Sequence, residues 1–87
     1  MKFRIDLKPR AEKDIDALDK KSAQHVLRRI RLLEDDLFGD VKRLKNFEPK
    51  YRLRVGDYRV LFNVVGTEIH IYRIVNRKEA YLFYADS

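Results

Sequence analysis

Arginine side chains that could bind phosphate are concentrated in one short stretch of this 87-residue sequence. Between positions 42 and 59 there are seven basic residues and two acidic ones, and the segment YRLRVGDYRVLF contains Arg52, Arg54 and Arg59. A guanidinium group donates two parallel hydrogen bonds to phosphate oxygens. Together with the net charge of +6 of the whole chain, the stretch predicts an anionic partner, nucleic acid first. A generally basic surface that keeps the protein soluble is the alternative.

The hairpin predicted for this segment sets like charges side by side. The Gly-Asp pair at 56–57 favours a two-residue turn, which places Arg54 opposite Arg59 and Arg52 opposite Leu61. Directly opposed like charges destabilise a sheet by about 0.2–1 kcal/mol. A phosphate bound between Arg54 and Arg59 would turn this repulsion into an attraction. The same register gathers an apolar set on the other face: Tyr51, Leu53, Val55, Tyr58, Val60, Phe62 and Val64.

A second predicted hairpin extends the polar face. A turn at 66–67 sets Asn63 opposite His70 and Leu61 opposite Tyr72. The apolar order is reversed at Arg73 and Ile74, and a bulge there would restore the register. This face then presents arginines, an amide, an imidazole and a phenol to solvent. A single exposed arginine is common on any strand. Three of them on one face predict a phosphodiester site on the exposed side of the hairpin.

Three residues after the last strand are predicted to reach the same rim of the sheet. Arg59 is expected to face Ile74, so Arg77 and Lys78 follow close to it in space. Tyr81 comes four residues after Arg77, and its ring can stack on a base or its phenol can take part in proton transfer.

The elements that position these residues form an α+β fold. The predicted order is β-α-α-β-β-β, an antiparallel sheet with two N-terminal helices packed on one face, in one domain spanning 1–87. The expected elements are a strand at 2–7, helices at about 9–19 and 20–36, a loop at 37–50, and strands at about 51–55, 58–65 and 68–75. No conformation is predicted for 76–87, but Phe83 and Tyr84 are expected to pack on the core.

Composition excludes several other classes of site. There is no cysteine, so no disulfide framework or thiolate metal site is expected. No histidine and carboxylate spacing typical of a metal site occurs, and no glycine-rich phosphate loop occurs. The N-terminus MKFRID lacks the apolar region of a signal peptide, and no apolar run is long enough to span a membrane. The sequence therefore predicts a cytoplasmic protein without a metal or cofactor.

Two segments, LKNFEPKYRLRVGDYRVLF and IVNRKEAY, resemble the RelE/ParE superfamily of toxins, and the RelE-like branch in particular. The resemblance covers nearly the whole chain and implies the RelE-like microbial RNase fold. It further implies a toxin of a type II toxin–antitoxin system, paired with a cognate antitoxin protein. RelE-like members are ribosome-dependent, metal-independent endonucleases that cut mRNA and so inhibit translation.

The resemblance assigns roles by matching positions. The basic positions of the family match Arg52, Arg54 and Arg59, and its terminal motif matches Arg77 and Tyr81; a basic loop position matches Lys45. The resemblance implies attack of an RNA 2′-OH on the adjacent phosphate, which leaves a 2′,3′-cyclic phosphate. The predicted catalytic residues are Arg54, Arg59, Arg77 and Tyr81, and the predicted RNA-binding residues are Lys45, Arg52, Asn63, His70 and Lys78.

The chain departs from the family at positions that matter for proton transfer. Several members have lysine where Arg52 and Arg54 stand, and many have histidine where this chain has Asn76. Arginine is a poor base, so the general base and acid stay open. Two other functions also stay open: a ParE-like inhibitor of DNA gyrase, and a noncatalytic RNA- or DNA-binding module.

Overall fold

The computed structural model describes residues 2–84, which form five strands and three helices. The fold class is α+β, as the sequence predicts. The elements follow in the order β1 (Arg4–Leu7), α1 (Pro9–Asp16), α2 (Lys20–Leu32), β2 (Val41–Arg43), β3 (Tyr51–Val55), β4 (Tyr58–Val65), β5 (Glu68–Asn76) and α3 (Arg77–Tyr84). None of the helices in this part of the chain is long and apolar enough to cross a membrane.

All five strands belong to one sheet, in the order β1-β5-β4-β3-β2. The sheet is mixed, because β1 pairs in parallel with β5 while the other neighbours are antiparallel. The prediction of an antiparallel sheet is therefore wrong for β1. The crossover through α1, α2 and the hairpins returns the chain beside β1 in the same direction, and no local pattern in the sequence encodes that pairing.

The helices start as predicted but end earlier. Pro9 begins α1, and the side chain of Asp19 caps α2 by accepting a hydrogen bond from Ser22 N at 3.1 Å. The second helix ends at Leu32 instead of residue 36, and Asp36 and Leu37 have φ angles of 55° and 60°. A helix cannot continue through two left-handed residues. The predicted loop at 37–50 also contains the short edge strand β2.

The apolar face of the hairpins packs against α1 and α2, which confirms the predicted division of the two faces. The main core on this side includes Leu53, Val60 and Phe62, each with no exposed surface, together with Val26 and Leu33 of the helical region. The predicted partners Tyr51, Tyr58 and Val64 pack at its margin.

The predicted register of β3 and β4 is confirmed at every position. Arg54 lies opposite Arg59 and Val55 opposite Tyr58, and Gly56 takes the positive φ of 56° that the turn requires. The predicted register of the second hairpin holds from the turn up to Phe62 and Ile71.

A bulge shifts the rest of the second hairpin by one residue. It falls at Leu61 and Phe62, so Leu61 faces Arg73 instead of Tyr72, and Arg59 faces Val75 instead of Ile74. Tyr72 is the extra residue of β5 at this bulge.

The C-terminal segment forms α3, which the sequence analysis leaves without a conformation. Arg73 of β5 donates from Nε to Asp14 Oδ2 of α1 at 2.8 Å. Its guanidinium also lies 3.6 Å from the Glu79 carboxylate of α3. Asp14 also accepts a hydrogen bond from Ile74 N at 2.9 Å, beyond the end of β1, where β5 has no strand partner on that side. The Asp14 carboxylate thus links α1 to the part of β5 that extends beyond β1, and Arg73 links both of them to α3.

Candidate nucleic-acid interface

The face of the sheet opposite the main core carries the predicted arginines. Two rows of side chains cross it from β3 through β4 to β5: Arg52, Leu61 and Arg73 in one row, and Arg54, Arg59 and Val75 in the other. Arg77 begins α3 directly after β5, and its backbone N donates to Asp57 O in the β3–β4 turn at 2.7 Å. The fold therefore brings together four arginines, which we call the arginine cluster: Arg52, Arg54, Arg59 and Arg77.

Hydrogen bonds to backbone oxygens hold two members of the cluster in place. Arg59 donates to Gly56 O at 2.8 Å and to Tyr58 O at 2.9 Å, while Arg54 is exposed. Arg52 donates to Asp40 at both the backbone oxygen, at 2.7 Å, and Oδ1, at 3.2 Å. In residues 2–84 this is the one ion pair that a cluster arginine forms with a carboxylate. The cluster therefore keeps a large excess of positive charge.

Electrostatics at Arg59 reflect that excess. Burial lowers the pKa of Arg59, the neighbouring Tyr84 phenol opposes this, and the charges of Arg54, Arg52 and Arg77 lower the pKa further. The protonated guanidinium is less stable here than in water, and an anion placed among these residues would restore the lost stabilisation.

The arginine face is partly covered, which corrects the prediction that this side of the hairpin is the exposed one. The loop before β3 and helix α3 build a second, smaller core on it, made of Leu44, Leu61, Val75 and Ala80 with Phe47 and Tyr84 at its margin. Leu61 is 1% exposed, although the hairpin pattern alone predicts a surface position.

Tyr84 packs on this second core, as predicted. Its ring centroid lies 5.9 Å from that of Phe47, and burial raises the pKa of its phenol while the charges of Arg59 and Arg52 lower it. Its Oη is buried and has no hydrogen-bond partner within residues 2–84. Sequence reasoning missed that this phenol stands beside Arg59, because no pattern predicted α3.

Tyr81, Lys78 and Lys45 lie at the exposed margin of the interface. Tyr81 is on α3 one turn after Arg77 and is 66% exposed. Lys78 is exposed on the same helix, and Lys45 is exposed in the loop between β2 and β3. In residues 2–84 none of the three forms a side-chain hydrogen bond or ion pair that links it to the arginine cluster.

Asn63 and His70 lie on the same face but away from the arginines. Asn63 is four residues beyond Arg59, about 13 Å along β4, and its Oδ1 accepts a hydrogen bond from Lys50 N at 2.6 Å. His70 Nε2 lies 3.0 Å from Glu68 Oε1 and 4.0 Å from Asp6 Oδ2. The structure places His70 among carboxylates.

Sequence reasoning missed two acidic partners of arginines. Asp40 pairs with Arg52, and Asp14 pairs with Arg73. Glu79 also pairs with Arg73, so it does not neutralise the arginine cluster. The order of charges along the chain carried no signal for either partner, since both pairs depend on tertiary packing. Among residues 2–84, no group of three or more histidine and carboxylate side chains is arranged to hold a metal ion.

Comparison with known proteins identifies the family. The model of the family described as ParE toxin of type II toxin–antitoxin system, parDE, matches residues 5–81. Toxin RelE3 of Methanocaldococcus jannaschii is 33% identical over 69 residues, which cover 69% of this chain and 78% of that protein.

Solved structures share the fold. The toxin–antitoxin complex RelBE2 of Mycobacterium tuberculosis contains a chain that superposes with a TM-score of 0.77 at 21% identity, over 88% of this chain and 100% of that one. The archaeal RelE–RelB complex of Pyrococcus horikoshii gives a TM-score of 0.71 at 27% identity, over 88% and 97% of the two chains. Because the family model spans most of the sequence and a relative exceeds 30% identity, this chain belongs to the RelE/ParE family of type II toxin–antitoxin toxins.

Proposed function

We propose that this toxin is a ribosome-dependent mRNA endonuclease of the RelE type, which acts in the cytoplasm without a metal or cofactor. The arginine cluster is the observation that carries the proposal, because it gathers four guanidinium groups, of which Arg52 alone is paired with a carboxylate in the described residues. The similarity to Toxin RelE3 supports the same class. A site of this charge suits the phosphate of a nucleic-acid backbone.

The cluster fits transesterification within the RNA strand. The 2′-oxygen forms a bond to the adjacent phosphorus, the bond from phosphorus to the 5′-oxygen breaks, and a 2′,3′-cyclic phosphate remains. The 2′-OH loses its proton and the departing 5′-oxygen gains one. Arg54 and Arg59 stabilise the charge that collects on the phosphoryl oxygens, and Arg77 stabilises the same charge or the departing oxygen. Tyr81 accepts the 2′-OH proton or aligns that hydroxyl.

The position of Tyr81 accounts for dependence on the ribosome. Its ring is 66% exposed and it makes no hydrogen bond to the cluster in the described residues. The free toxin thus holds its phosphate-binding arginines together but leaves the tyrosine unanchored. An mRNA held in the ribosome supplies the orientation that the isolated site lacks, which is a large part of catalytic rate enhancement.

We also propose that the partner in the cell is an antitoxin protein. The similar structures from M. tuberculosis and P. horikoshii are complexes named RelBE2 and RelE–RelB. Helix α3 exposes Tyr81, Leu82 and Phe83, with Leu82 at 84%, and a protein partner that covers them would also cover the interface. Co-purification with a small acidic protein encoded next to the toxin gene tests this, and harmless expression of the toxin alone at a high level contradicts it.

A ParE-like inhibitor of DNA gyrase is the second candidate. The match to the ParE family model favours it, and the likeness to the ParDE structure of Pseudomonas aeruginosa concerns the fold alone, at 20% identity. The number of basic groups on one face favours the nuclease.

One experiment distinguishes the candidates. The toxin is added to translating ribosomes, mRNA 5′ ends are mapped, and a gyrase supercoiling assay is run beside it with wild type, Arg59→Ala and Tyr81→Phe. Ribosome-dependent cuts that disappear in Arg59→Ala support the nuclease. Inhibition of supercoiling without cuts supports the ParE-like function, and salt-sensitive RNA binding without either activity supports a noncatalytic module.

A further inference from the structure

A recess lies on the arginine face, apart from the arginine cluster and about 13 Å along β4 from Arg59. Glu48, Pro49, Asn63 and Tyr72 line this shallow cavity of about 420 Å³. A neighbouring cavity shares Glu48 and Asn63 and adds Arg43 and Lys50. We propose that the recess formed by Glu48, Pro49, Asn63 and Tyr72 binds one nucleobase of the RNA, a few nucleotides from the phosphate held by the arginine cluster. The proposal rests on the proposed RNA substrate and adds a site of base recognition to it.

Tyr72, at the bulge of the second hairpin, forms the aromatic wall of the recess. With a regular register Tyr72 would face Leu61, but at the bulge it becomes the extra residue of β5 and lines the recess beside Asn63. Bulges are over-represented next to functional sites. The His70 ring lies edge-on at 6.4 Å from the Tyr72 ring and supports its position. Tyr72 and Pro49 therefore offer apolar surfaces on which a base can stack.

The amide of Asn63 is oriented by its bond to the backbone. Its Oδ1 accepts from Lys50 N at 2.6 Å, so Nδ2 is the end left for a ligand. This Nδ2 has no hydrogen-bond partner in residues 2–84. It can donate to a ring nitrogen or carbonyl oxygen of a base.

Glu48 supplies the complementary acceptor. Its carboxylate is exposed and makes no ion pair within the described residues, although Lys50 and Arg43 line the adjoining cavity. An ionised carboxylate only accepts hydrogen bonds, and it suits the exocyclic amine of a base, as in carboxylate contacts to cytosine N4. Uracil offers one N–H between two carbonyl oxygens that a carboxylate repels. The recess should therefore prefer adenine, cytosine or guanine over uracil.

Binding of single-stranded RNA to the isolated toxin tests the recess without any cleavage. The probes are fluorescent 2′-O-methyl oligo-A, oligo-C and oligo-U, which lack the attacking hydroxyl, followed by anisotropy at one fixed salt concentration. We expect oligo-A and oligo-C to bind about tenfold more tightly than oligo-U.

Substitutions assign that preference to the recess. Glu48→Gln should reduce the ratio to less than about threefold, while Glu12→Gln, the same charge change on the exposed surface of α1, should leave it intact. Tyr72→Ala should weaken every probe about tenfold, and Tyr72→Phe, which keeps the ring, should not. Arg59→Ala should weaken all probes equally and preserve the ratio.

Equal binding of the three probes, absence of binding, or a ratio that Glu48→Gln does not change would overturn the proposal. The ribosome assay reports on the nuclease separately. If the toxin cuts mRNA but shows no base preference, only the proposed base-binding recess is overturned. If it shows a base preference but makes no cuts, only the proposed nuclease activity is overturned.

Discussion

Two charged regions on the same face of the sheet are built in opposite ways. The arginine cluster lies near the β3–β4 turn. About four residues further along the strands lies a second group, which we call the paired cluster: Arg4, Asp6, Lys8, Glu68 and His70. Arg4 bonds to Glu68 at 3.2 Å, Lys8 to Asp6 at 2.6 Å and His70 to Glu68 at 3.0 Å. Opposite charges neutralise one another in the paired cluster, whereas like charges adjoin in the arginine cluster.

This difference separates a structural region from the proposed binding region. A hydrogen bond from His70 lowers the pKa of Glu68, and one from Lys8 lowers the pKa of Asp6, so folding stabilises both carboxylates in their charged form. Burial and like charges instead lower the pKa of Arg59, so folding destabilises its charge. A region in which folding destabilises the charged form of its own side chains is suited to an anionic ligand.

The largest expected effect is on cleavage by Arg59→Ala. Removing one fixed donor to a developing oxyanion typically lowers kcat by a factor of about 10²–10³, and we expect that loss in mRNA cleavage on ribosomes. His70→Ala, in the paired cluster, should change cleavage less than about threefold, since His70 lies beside carboxylates. Equal losses in the two variants would contradict the division between the clusters.

The next effect is on stability and concerns the most enclosed ion pair, Asp14 with Arg73. Their side chains are 11% and 22% exposed, and Asp14 also satisfies the edge amide of Ile74. Asp14→Ala should lower the free energy of unfolding by about 2 kcal/mol, because it leaves the amide of Ile74 unpaired and leaves Arg73 only its longer contact with Glu79. Asp14→Asn keeps an acceptor for Ile74 N and should cost about half as much. Urea unfolding measures both values, and equal costs would mean that the edge amide contributes nothing.

The hairpin was predictable because its signals are local. Gly56 and Asp57 fix the turn, and alternation along β3 and β4 then fixes every pair, including Arg54 with Arg59. The two faces follow from that register alone. The arginine cluster could be predicted for the same reason, since three of its members lie on this hairpin.

The rest depends on contacts between distant parts of the chain. The parallel pairing of β1 with β5 joins residues 64 positions apart, such as Arg4 with Glu68. The reversed apolar order at Arg73 and Ile74 predicts a bulge in this part of β5, but not that Tyr72 is its extra residue. Helix α3 is short and exposes Leu82 while it buries Ala80, so it lacks a clean amphipathic stripe. Cover of the arginine face by α3 was therefore not predictable.

A smaller effect on stability should have opposite signs in the two clusters. Arg54→Glu replaces a like-charge pair with Arg59 by an opposite-charge pair and should stabilise the fold by about 0.5 kcal/mol, while cleavage falls. Arg4→Glu, which faces Glu68 across β1 and β5, should destabilise the fold by a similar amount. Chemical unfolding of both variants at pH 7 checks the signs. Destabilisation by Arg54→Glu would show that the opposed arginines cost the fold nothing.

The smallest expected effect is on the response to acid, to which the paired cluster should contribute and the arginine cluster should not. The pKa values of Asp6 and Glu68 are lowered from their ordinary 3.8 and 4.5, so the folded state binds fewer protons than the unfolded chain in that range. The resulting stability is present above these ordinary values and is lost as pH falls through the lower folded values. Glu68→Gln should therefore lower Tm at pH 7 and flatten its decline below pH 5, about where that carboxylate begins to protonate in the unfolded chain. Arg54→Ala removes no carboxylate partner, so its Tm should decline with acid in parallel with wild type; a flattened decline in that variant instead would place the acid-sensitive pairs in the arginine cluster.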